Sequence, residues 1–329
     1  MNDIYYKNII LKKDYYKKCK PILKWVGGKT QIMEDIISKF PEQMDNYYEL
    51  FIGGGSVLIE LLKKIKEKKI KINKKIYAFD INNHLINLYK HIQNNKVELY
   101  KEVISLKEQY NSLKDSNENS LKDSNEDSLK DSKNYINRNP KNLEEGMVCK
   151  ESFYYYIRNE YNKIEENSIK KSAYFLFLNK VCFRGIYRVG KNNRFNVPYG
   201  HYSNTPNIID KVNLYSLSKL FKDVIFECQD CMNVFERISE KDFVYLDPPY
   251  YPINKSFVGY SLSFENEDFH KLFFEKVREL KCKFVMSNSN SQDVYDIFSK
   301  YIIYEVIAKR SINSKKPQSK TTELIIQNY

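Results

Sequence analysis

The sequence predicts an α/β fold in which a doubly wound, mostly parallel sheet is split in the chain by an inserted middle region. Strand-like and helix-like patterns alternate from residue 21 to about residue 80, and the alternation resumes at Val224. Such alternation favours parallel βαβ units. Predicted strands at residues 47–51 and 243–246 run into the two most distinctive motifs, at the sheet edge where open α/β sheets bind ligands.

The first part of the sheet follows from hydrophobic periodicity. Helical spacing of apolar residues predicts helices over residues 31–40 and 57–67, and short apolar runs predict strands over residues 47–51 and 75–79. Residues 1–20 are polar and rich in Lys and Tyr, so we expect a loosely ordered N-terminal arm.

The middle of the chain has a different pattern. Helices are predicted over residues 84–110 and 152–182, and a β-hairpin over residues 184–202 with its turn at residues 190–193. Between the helices, an eight-residue repeat occupies residues 112–133. With one Leu per repeat it buries too little apolar area to offset the entropy of ordering, so we expect a solvated, low-complexity insertion.

Beyond Val224 the pattern predicts one helix and four strands. The helix covers residues 269–280, and the strands cover residues 243–246, 283–287, 304–308 and 323–327. A basic loop with Lys315, Lys316 and Lys320 joins the last two strands, and we expect these lysines to contact phosphates.

Composition limits the classes of function. The formal net charge of +12 and the pI near 9.1 suit a polyanionic partner, although lysine also accumulates in proteins of AT-rich genomes. No apolar run approaches the ~18 residues that span a bilayer, and the N-terminus lacks a signal core, so we expect an intracellular protein without a membrane segment. Cys228 and Cys231 have Cys-x-x-Cys spacing but no second pair, so we expect reduced thiols and no zinc site.

The most informative motif is Asp247-Pro248-Pro249-Tyr250, directly after a predicted strand. The prolines fix the backbone and end the strand. The carboxylate and nearby carbonyl oxygens can accept both hydrogens of an amino group, and the tyrosine ring offers a stacking face for a base. The alternative is an ordinary proline-ended strand with an exposed Asp, which is not favoured because this tetrapeptide is uncommon.

The glycine-rich segment at residues 51–56 opens a helix. Gly53 and Gly55 let backbone N–H groups approach a ligand at the positive helix end, although a tight turn remains the alternative. The segment lacks the full dinucleotide-binding pattern, which counts against NAD. Asp80, at the end of the next strand, either accepts hydrogen bonds from a ribose or caps the following helix.

Six blocks occur in an order and spacing that together resemble one family. They are Lys24-Trp25-Val26-Gly27-Gly28-Lys29, Phe51-Ile52-Gly53-Gly54-Gly55, Phe79-Asp80-Ile81-Asn82, Arg188 with Phe195-Asn196-Val197-Pro198-Tyr199-Gly200, Asp247-Pro248-Pro249-Tyr250 and Ser287-Asn288-Ser289. The series resembles the alpha-class, Dam-like adenine-N6 DNA methyltransferases of restriction–modification and replication-control systems. The resemblance extends from about Pro21 to Tyr329 and is interrupted only by the repeat.

The resemblance implies that S-adenosylmethionine and a flipped adenine share one crevice. The residues assigned to the cofactor are Trp25, Lys29, Phe51, Gly53, Gly55, Asp80, Asp230 and Asp247. Those assigned to the adenine and its chemistry are Asp247, Pro248, Pro249 and Tyr250. The positive charge of Lys29 suits the cofactor's carboxylate, and Trp25 offers apolar surface; the alternatives are a solvated lysine and a core tryptophan. The match at Asp230 is weaker.

The resemblance also implies a DNA-reading surface in the predicted hairpin. The residues assigned to it are Lys24, Arg184, Arg188, Asn196, Pro198, His201 and Tyr202. Many GATC-methylating members have Asn at the position of Arg184 and Arg at that of His201, so GATC specificity is not carried over and CATG stays a second candidate. Arg184 as a phosphate contact and His201 as an ordinary surface histidine are the alternatives.

The expected organisation is a Rossmann-like methyltransferase domain from residues 21–86 and 208–329, with a helix-plus-hairpin DNA-recognition domain from residues 87–207. The hairpin would enter the major groove of double-stranded DNA, and the adenine would be extruded into the crevice. Asp247 and the Pro248 carbonyl oxygen would orient the N6 amino group for direct in-line transfer, chemistry that needs no metal ion.

Two other functions remain at this point. The chain could methylate RNA or a protein amide, but such enzymes more often have Asn in place of Asp247 and need no hairpin. It could also be a catalytically silent DNA-binding protein, which the intact motifs argue against. A cognate restriction endonuclease is a candidate partner.

Overall fold

A computed structural model describes residues 14–115, 136–251, 267–309 and 320–329. Within these ranges the α-helices are α1 (Met33–Ile37), α2 (Ser56–Lys66), α3 (Asn83–Asn94), α4 (Lys96–Ser112), α5 (Leu143–Gly146), α6 (Lys150–Lys163), α7 (Ile169–Val181), α8 (Lys211–Leu220), α9 (Glu267–Glu279) and α10 (Gln292–Ile297). The strands are β1 (Gln43–Met44), β2 (Tyr47–Glu49), β3 (Lys71–Ile72), β4 (Ile76–Asp80), β5 (Val224–Cys228), β6 (Phe243–Leu246), β7 (Lys283–Ser289), β8 (Ile302–Lys309) and β9 (Lys320–Gln327).

A seven-stranded sheet forms the centre of the molecule, in the order β5-β4-β2-β6-β7-β9-β8. The first five strands in this order are parallel, and β9 is antiparallel to both β7 and β8. This confirms the predicted mostly parallel α/β sheet. All seven strands come from the two stretches of chain predicted to build it, and β1 and β3 form a separate parallel pair.

Apolar side chains on both faces of the sheet create two cores. In β6, Phe243 and Tyr245 belong to one core and Val244 and Leu246 to the other, as the alternation of side chains along a strand requires. The first core also contains the apolar faces of helices α2–α4 and α6–α8, whereas the second contains those of α9 and α10. The sheet is therefore covered by helices on both sides, which keeps its carboxyl edge as the open place for a ligand.

The prediction of a β-hairpin at residues 184–202 is wrong, because this described segment forms no regular strands. Only two isolated antiparallel bridges, Cys182 to Tyr199 and Val189 to Phe195, are found among the described residues of this segment. The turn is correct, because Gly190 N donates to Arg194 O and Asn193 N donates to Gly190 O, each over 2.9 Å.

Side chains of α6 explain why the hairpin strands are missing. Tyr154 Oη and Arg158 donate to Val197 O over 2.7 and 3.1 Å, and Asn162 bonds both N and O of Phe195. Since a buried backbone group needs only one good partner, these bonds replace strand pairing.

The long predicted helices are each divided in two. The helix predicted over residues 84–110 breaks at Asn95, and the one over residues 152–182 breaks before Ser168, whose side chain caps α7. Helix α1 is shorter at both ends than its predicted range of residues 31–40, and Ile32 at its start provides no side-chain cap. The predicted boundary at residues 86–87 falls inside α3, and the division into two domains remains a prediction.

Parts of the predicted N-terminal arm and of the predicted insertion are packed against the rest of the protein. Within the N-terminal arm, Tyr16 and Cys19 are buried in the first core, so residues 14–20 are packed rather than loose. At the start of the insertion, Lys114 O accepts a bond from Lys150 N and Asp115 pairs with Lys150 at 3.1 Å. The rest of the repeat and residues 310–319 lie outside the described residues. Lys320, which was assigned to the basic loop, is instead the first residue of β9, paired with Lys309 of β8.

Candidate active site

The strand order of the sheet changes direction between β2 and β6. Strands β2, β4 and β5 follow one another outward on one side, whereas β6 and β7 lie on the other. Ligands of open α/β sheets bind in the crevice at such a switch point. The glycine-rich turn follows β2 and Asp247 follows β6, so both predicted motifs border the same crevice.

The glycine-rich turn has a backbone that other residues would strain. Gly53 and Gly55 have φ angles of 46° and 72°, in the left-handed region. A Cβ on Gly53 would lie 2.9 Å from Trp25 Cδ1, and one on Gly55 would lie 2.8 Å from the hydroxyl of Tyr89, which donates to Gly53 O. The turn is therefore locked against Trp25 on one side and Tyr89 on the other, with α2 starting at Ser56.

Asp80 connects the end of β4 to this turn. Its carboxylate accepts hydrogen bonds from Gly53 N at 3.1 Å and Asn82 N at 2.9 Å. Burial raises the pKa of Asp80 to about 6 although these bonds favour the ionised form. The helix cap is Asn82, which accepts from His84 N and Leu85 N, so the capping alternative for Asp80 is wrong.

Asp247, Lys29 and Tyr250 form one cluster. Lys29 Nζ lies 2.8 Å from Asp247 Oδ1 and 4.8 Å from the centre of the Tyr250 ring, and it donates to Gly27 O over 2.7 Å. Lys29 is only 4% exposed, so the alternative of a solvated lysine is wrong. Burial raises the pKa of Asp247 to about 6, Lys29 opposes that rise and Glu323 adds to it.

The backbone after the motif is held by β7. Asn288 Oδ1 accepts from Tyr251 N over 3.2 Å, and Ser289 Oγ donates to Tyr251 O over 2.8 Å. Pro248 is buried and Pro249 is exposed. The motif Ser287-Asn288-Ser289 thus serves to fix the chain that carries Tyr250.

Glu49 lies buried at the end of β2, and sequence reasoning missed it. It accepts a hydrogen bond from Tyr47 Oη over 2.7 Å. Burial raises the pKa of Glu49 to about 8, and the charge of Asp247 adds to that rise. The signal was present, since a glutamate inside the apolar run before the glycine turn has to be buried there.

Asp230 and Phe51 are placed at the periphery of the crevice. Asp230 is exposed after β5 and accepts from Met232 N over 2.9 Å, while the preceding Gln229 N donates to Asp80 O. The half-buried Phe51 packs edge-on against Phe273 of α9. The bond made by Gln229 thus places Asp230 near the end of β4 in space.

Trp25 joins the crevice to residues 184–202, which are predicted to read DNA and which we call the recognition segment. Its ring stacks on Tyr187 at a centroid distance of 5.7 Å, besides packing on the glycine turn. The side chain is half-buried at the edge of the first core. Trp25 therefore packs against its neighbours and also leaves part of its side chain exposed.

Asn179 ties the recognition segment to the N-terminal motif, and it too was missed. Its amide bonds Lys24 N at 2.9 Å, Lys24 O at 2.7 Å and Gly185 O at 3.0 Å. Gly185 has a φ of 68°, and a Cβ there would meet Lys24 Cβ at 2.5 Å. An asparagine directly after the apolar run of residues 174–178 in α7 was the available signal.

The exposed residues of the recognition segment include most of the predicted DNA contacts. Arg188 Nε donates to Asn196 Oδ1 over 2.8 Å, and both side chains are exposed. Arg184 has a φ of 57° and its guanidinium lies 5.1 Å from the Phe183 ring. Pro198 is exposed, and its carbonyl accepts from Phe183 N.

Lys24, Tyr202 and His201 contact neighbouring groups. Lys24 Nζ is 3.2 Å from the Tyr202 hydroxyl, which donates to Cys182 O. His201 Nε2 lies 3.8 Å from a carboxylate oxygen of the buried Glu151. The contact with Glu151 attaches His201 to α6.

Two properties of the described residues bear on the class of protein. No helix in the described ranges is long and apolar enough to cross a membrane. In the same part of the chain, no group of three or more His, Cys, Asp or Glu side chains is arranged to hold a metal ion.

Comparison with known proteins gives concordant matches. The chain is 36% identical over 325 residues to the type II methyltransferase M.MjaIII of Methanocaldococcus jannaschii, covering 94% of this chain and 99% of that protein. It is 28% identical to the type II methyltransferase M1.LlaDCHI of Lactococcus lactis subsp. cremoris, covering 94% and 95% of the two chains. It is 24% identical to the DNA adenine methylase of Escherichia coli K12, covering 95% and 96%.

The family match extends over most of the chain, including both borders of the crevice. Residues 25–119 and 109–312 match the model of the D12 class N6 adenine-specific DNA methyltransferases. This confirms the predicted family and the predicted enzyme class. The chain belongs to the D12 class of N6 adenine-specific DNA methyltransferases, and it is an adenine-specific enzyme acting on DNA.

Proposed function

We propose that this enzyme transfers a methyl group from S-adenosylmethionine to N6 of an adenine extruded from duplex DNA, within a short palindrome. The observation that carries the proposal is the cluster of Asp247, Lys29 and Tyr250 at the switch point of the sheet. It combines a hydrogen-bond acceptor for an amino group, a cation and an aromatic face within a few ångströms.

The residues of the crevice fit S-adenosylmethionine. The N–H groups of Gly53 and Gly55 bond Asp80 and Ile52 O, so the turn would meet the cofactor through the positive end of α2, and Asp80 retains lone pairs for ribose hydroxyls. Lys29 and Trp25 supply a cation and apolar surface, and Phe51 and Asp230 complete the cofactor side. When bound, the cofactor supplies an electrophilic methyl group on a sulfonium.

Asp247 and the carbonyl oxygen of Pro248 accept the two hydrogens of the adenine amino group and aim its lone pair at the methyl carbon. Asp247 has to be ionised to do this, and Lys29 favours that form. Tyr250 stacks on the base, and Pro249 restricts the backbone between Pro248 and Tyr250. Positioning of this kind supplies most of the rate in a direct displacement.

The recognition segment reads the sequence. Arg184 and Arg188 would contact guanines in the major groove, as arginine commonly does, with Asn196, Pro198, His201, Tyr202 and Lys24 as the other contacts. GATC is the first candidate sequence and CATG the second. The type II designation of two relatives supports a role in restriction–modification, with a cognate endonuclease as partner.

The test is modification-sensitive sequencing of DNA from cells that lack other adenine methylation and express this protein. We expect N6-methyladenine at nearly every copy of one four-base palindrome. Cells expressing Asp247→Ala provide the matched control. Methylation of cytosine, or of adenines without a common sequence, would contradict the proposal.

A further inference from the structure

The hydroxyl of Tyr250 is tied to the last strand of the sheet. Tyr250 Oη donates a hydrogen bond to Glu323 Oε2 over 2.5 Å, a short distance typical of a carboxylate acceptor. Burial, together with the charges of Asp247 and Glu323, raises the pKa of the Tyr250 phenol well above its usual value. The phenol therefore keeps its proton and is the donor in this bond.

Glu323 is a firmly placed acceptor. It lies in β9, directly opposite Ser289 of β7 on one side and Val306 of β8 on the other. A residue with paired strands on both sides has little backbone freedom, so its carboxylate can act as a fixed anchor. Ser289 is also one of the two residues that hold the backbone of Tyr251.

The ring of Tyr250 is thus restrained from two directions. Lys29 Nζ lies 4.8 Å from the ring centre, while the hydroxyl at the far end of the ring is bound by Glu323. A tyrosine side chain has only two torsions. Fixing the hydroxyl oxygen fixes the first torsion and therefore the position of the ring, and because a phenolic O–H prefers to lie in the ring plane, the direction to Glu323 also favours one orientation of that plane. The plane of this ring decides whether a base can stack on it beside Asp247.

We propose that Glu323 is a positioning residue that, through the Tyr250 hydroxyl, sets the position and orientation of the ring on which the extruded adenine stacks. The inference rests on the proposed function, because it takes a purine to be the group beside Tyr250. Glu323 has one other route of influence, its charge near Asp247. The experiment has to separate the hydrogen bond from that charge.

A double-mutant cycle with Tyr250→Phe makes the separation, because phenylalanine keeps the ring and removes the hydroxyl. With Tyr250 present, Glu323→Ala should lower kcat for methyl transfer about tenfold, the size expected for one hydrogen bond to a charged group. In the Tyr250→Phe background the same change should cost less than about twofold. Glu323→Gln keeps an acceptor oxygen and should recover most of the loss.

A second readout follows the base itself. In a complex with duplex DNA and sinefungin, 2-aminopurine at the target position is quenched when it stacks on a tyrosine. Glu323→Ala should raise its emission. The matched control is Glu305→Ala, which removes the same kind of bond, between Tyr295 of α10 and the exposed Glu305 of β8. It should change neither kcat nor the emission.

The outcomes are distinguishable. An equal loss from Glu323→Ala in both backgrounds, or a Glu323→Gln variant as impaired as the alanine one, would overturn the inference in favour of the charge on Asp247. If thermal unfolding shows that Glu323→Ala does not fold, Glu323→Gln takes its place in the cycle. We then expect a small loss of kcat that disappears in the Tyr250→Phe background. The same loss of kcat in both backgrounds would contradict the inference. A wild-type enzyme that transfers no methyl group to DNA would instead refute the proposed function.

Discussion

The crevice proposed to be catalytic and the segment proposed to read DNA are built in opposite ways. In the crevice, Glu49, Asp80 and Asp247 lie at strand ends, and burial raises the pKa of each carboxyl group. In the recognition segment, Arg184 and Arg188 are exposed on a chain with two isolated bridges between described residues. One region uses desolvated groups fixed by the sheet, and the other uses charged groups on a surface loop.

The difference shows which parts of each region can vary. A residue at a parallel strand end keeps its place only if the sheet keeps its register, so the chemistry is tied to the fold. The recognition segment is anchored through the backbone at Phe195 and Val197 by side chains of α6. Its exposed side chains can therefore change without loss of the anchor, which suits a surface that reads different DNA sequences.

The largest effect should come from Asp247→Ala. Removing the acceptor for the adenine amino group should lower kcat at least about a hundredfold, as for other groups that act in the transition state. Binding to duplex DNA, measured by fluorescence anisotropy, should change little because the recognition segment is untouched. Asp247→Asn, which keeps one acceptor oxygen, should lose less. A variant with more than about a tenth of wild-type activity would remove Asp247 from the assigned role.

Replacing Arg188 should act on specificity. We expect Arg188→Ala to lose ~1–3 kcal/mol of discrimination at one base pair of the site. Asn196→Ala, which removes the partner of the Arg188 guanidinium, should relax the same base pair by less. The measurement is binding to duplexes that differ at each position in turn. Equal weakening on every duplex would make Arg188 a phosphate contact.

The charge of Lys29 should be visible in the pH dependence. Asp247, with a pKa of about 6, is ionised above that pH, so kcat/KM should fall as the pH drops through 6. Lys29 lowers this pKa, so Lys29→Gln should move the acid limb to higher pH by about half a unit or more. Lys39→Gln, which removes a lysine stacked on Tyr304, is the matched control. An acid limb that stays in place or moves down would exclude the ion pair as its cause.

The smallest effect should come from shortening the insertion. Replacing residues 116–132 by a short Gly-Ser linker should leave activity and Tm nearly unchanged, because the repeat is polar. Starting the replacement at Ser112 should lower Tm by about 2–4 °C, since it also removes Leu113, Lys114 and Asp115 with their contacts to the core and Lys150. Equal melting temperatures for the two replacements would show that these contacts contribute nothing.

The sheet could be predicted from the sequence because its strands carry strong local signals. Residues 243–246 are an apolar run ended by two prolines, and β6 covers those residues. The glycine turn was equally clear, since Gly53 and Gly55 adopt the positive φ angles that favour glycine. Local chemistry and fold agree at these places.

The rest depends on contacts between distant residues. The hairpin strands are absent because Tyr154, Arg158 and Asn162 of α6 supply the hydrogen bonds, and no local pattern shows that. Glu323 lies 73 residues beyond Tyr250 in the chain, and the two residues meet only because β9 pairs with β7. Pairings of this kind are set by topology, which periodicity does not specify.

Methyl transfer in vitro is the most direct test of the proposed activity. The purified protein is incubated with S-adenosylmethionine labelled in its methyl group and with duplexes containing GATC, CATG or neither, and the DNA is then digested to nucleosides. We expect the label to appear as N6-methyladenine from one of the two palindromes and to be absent with Asp247→Ala. Label in cytosine, or equal labelling of all the duplexes, would contradict it.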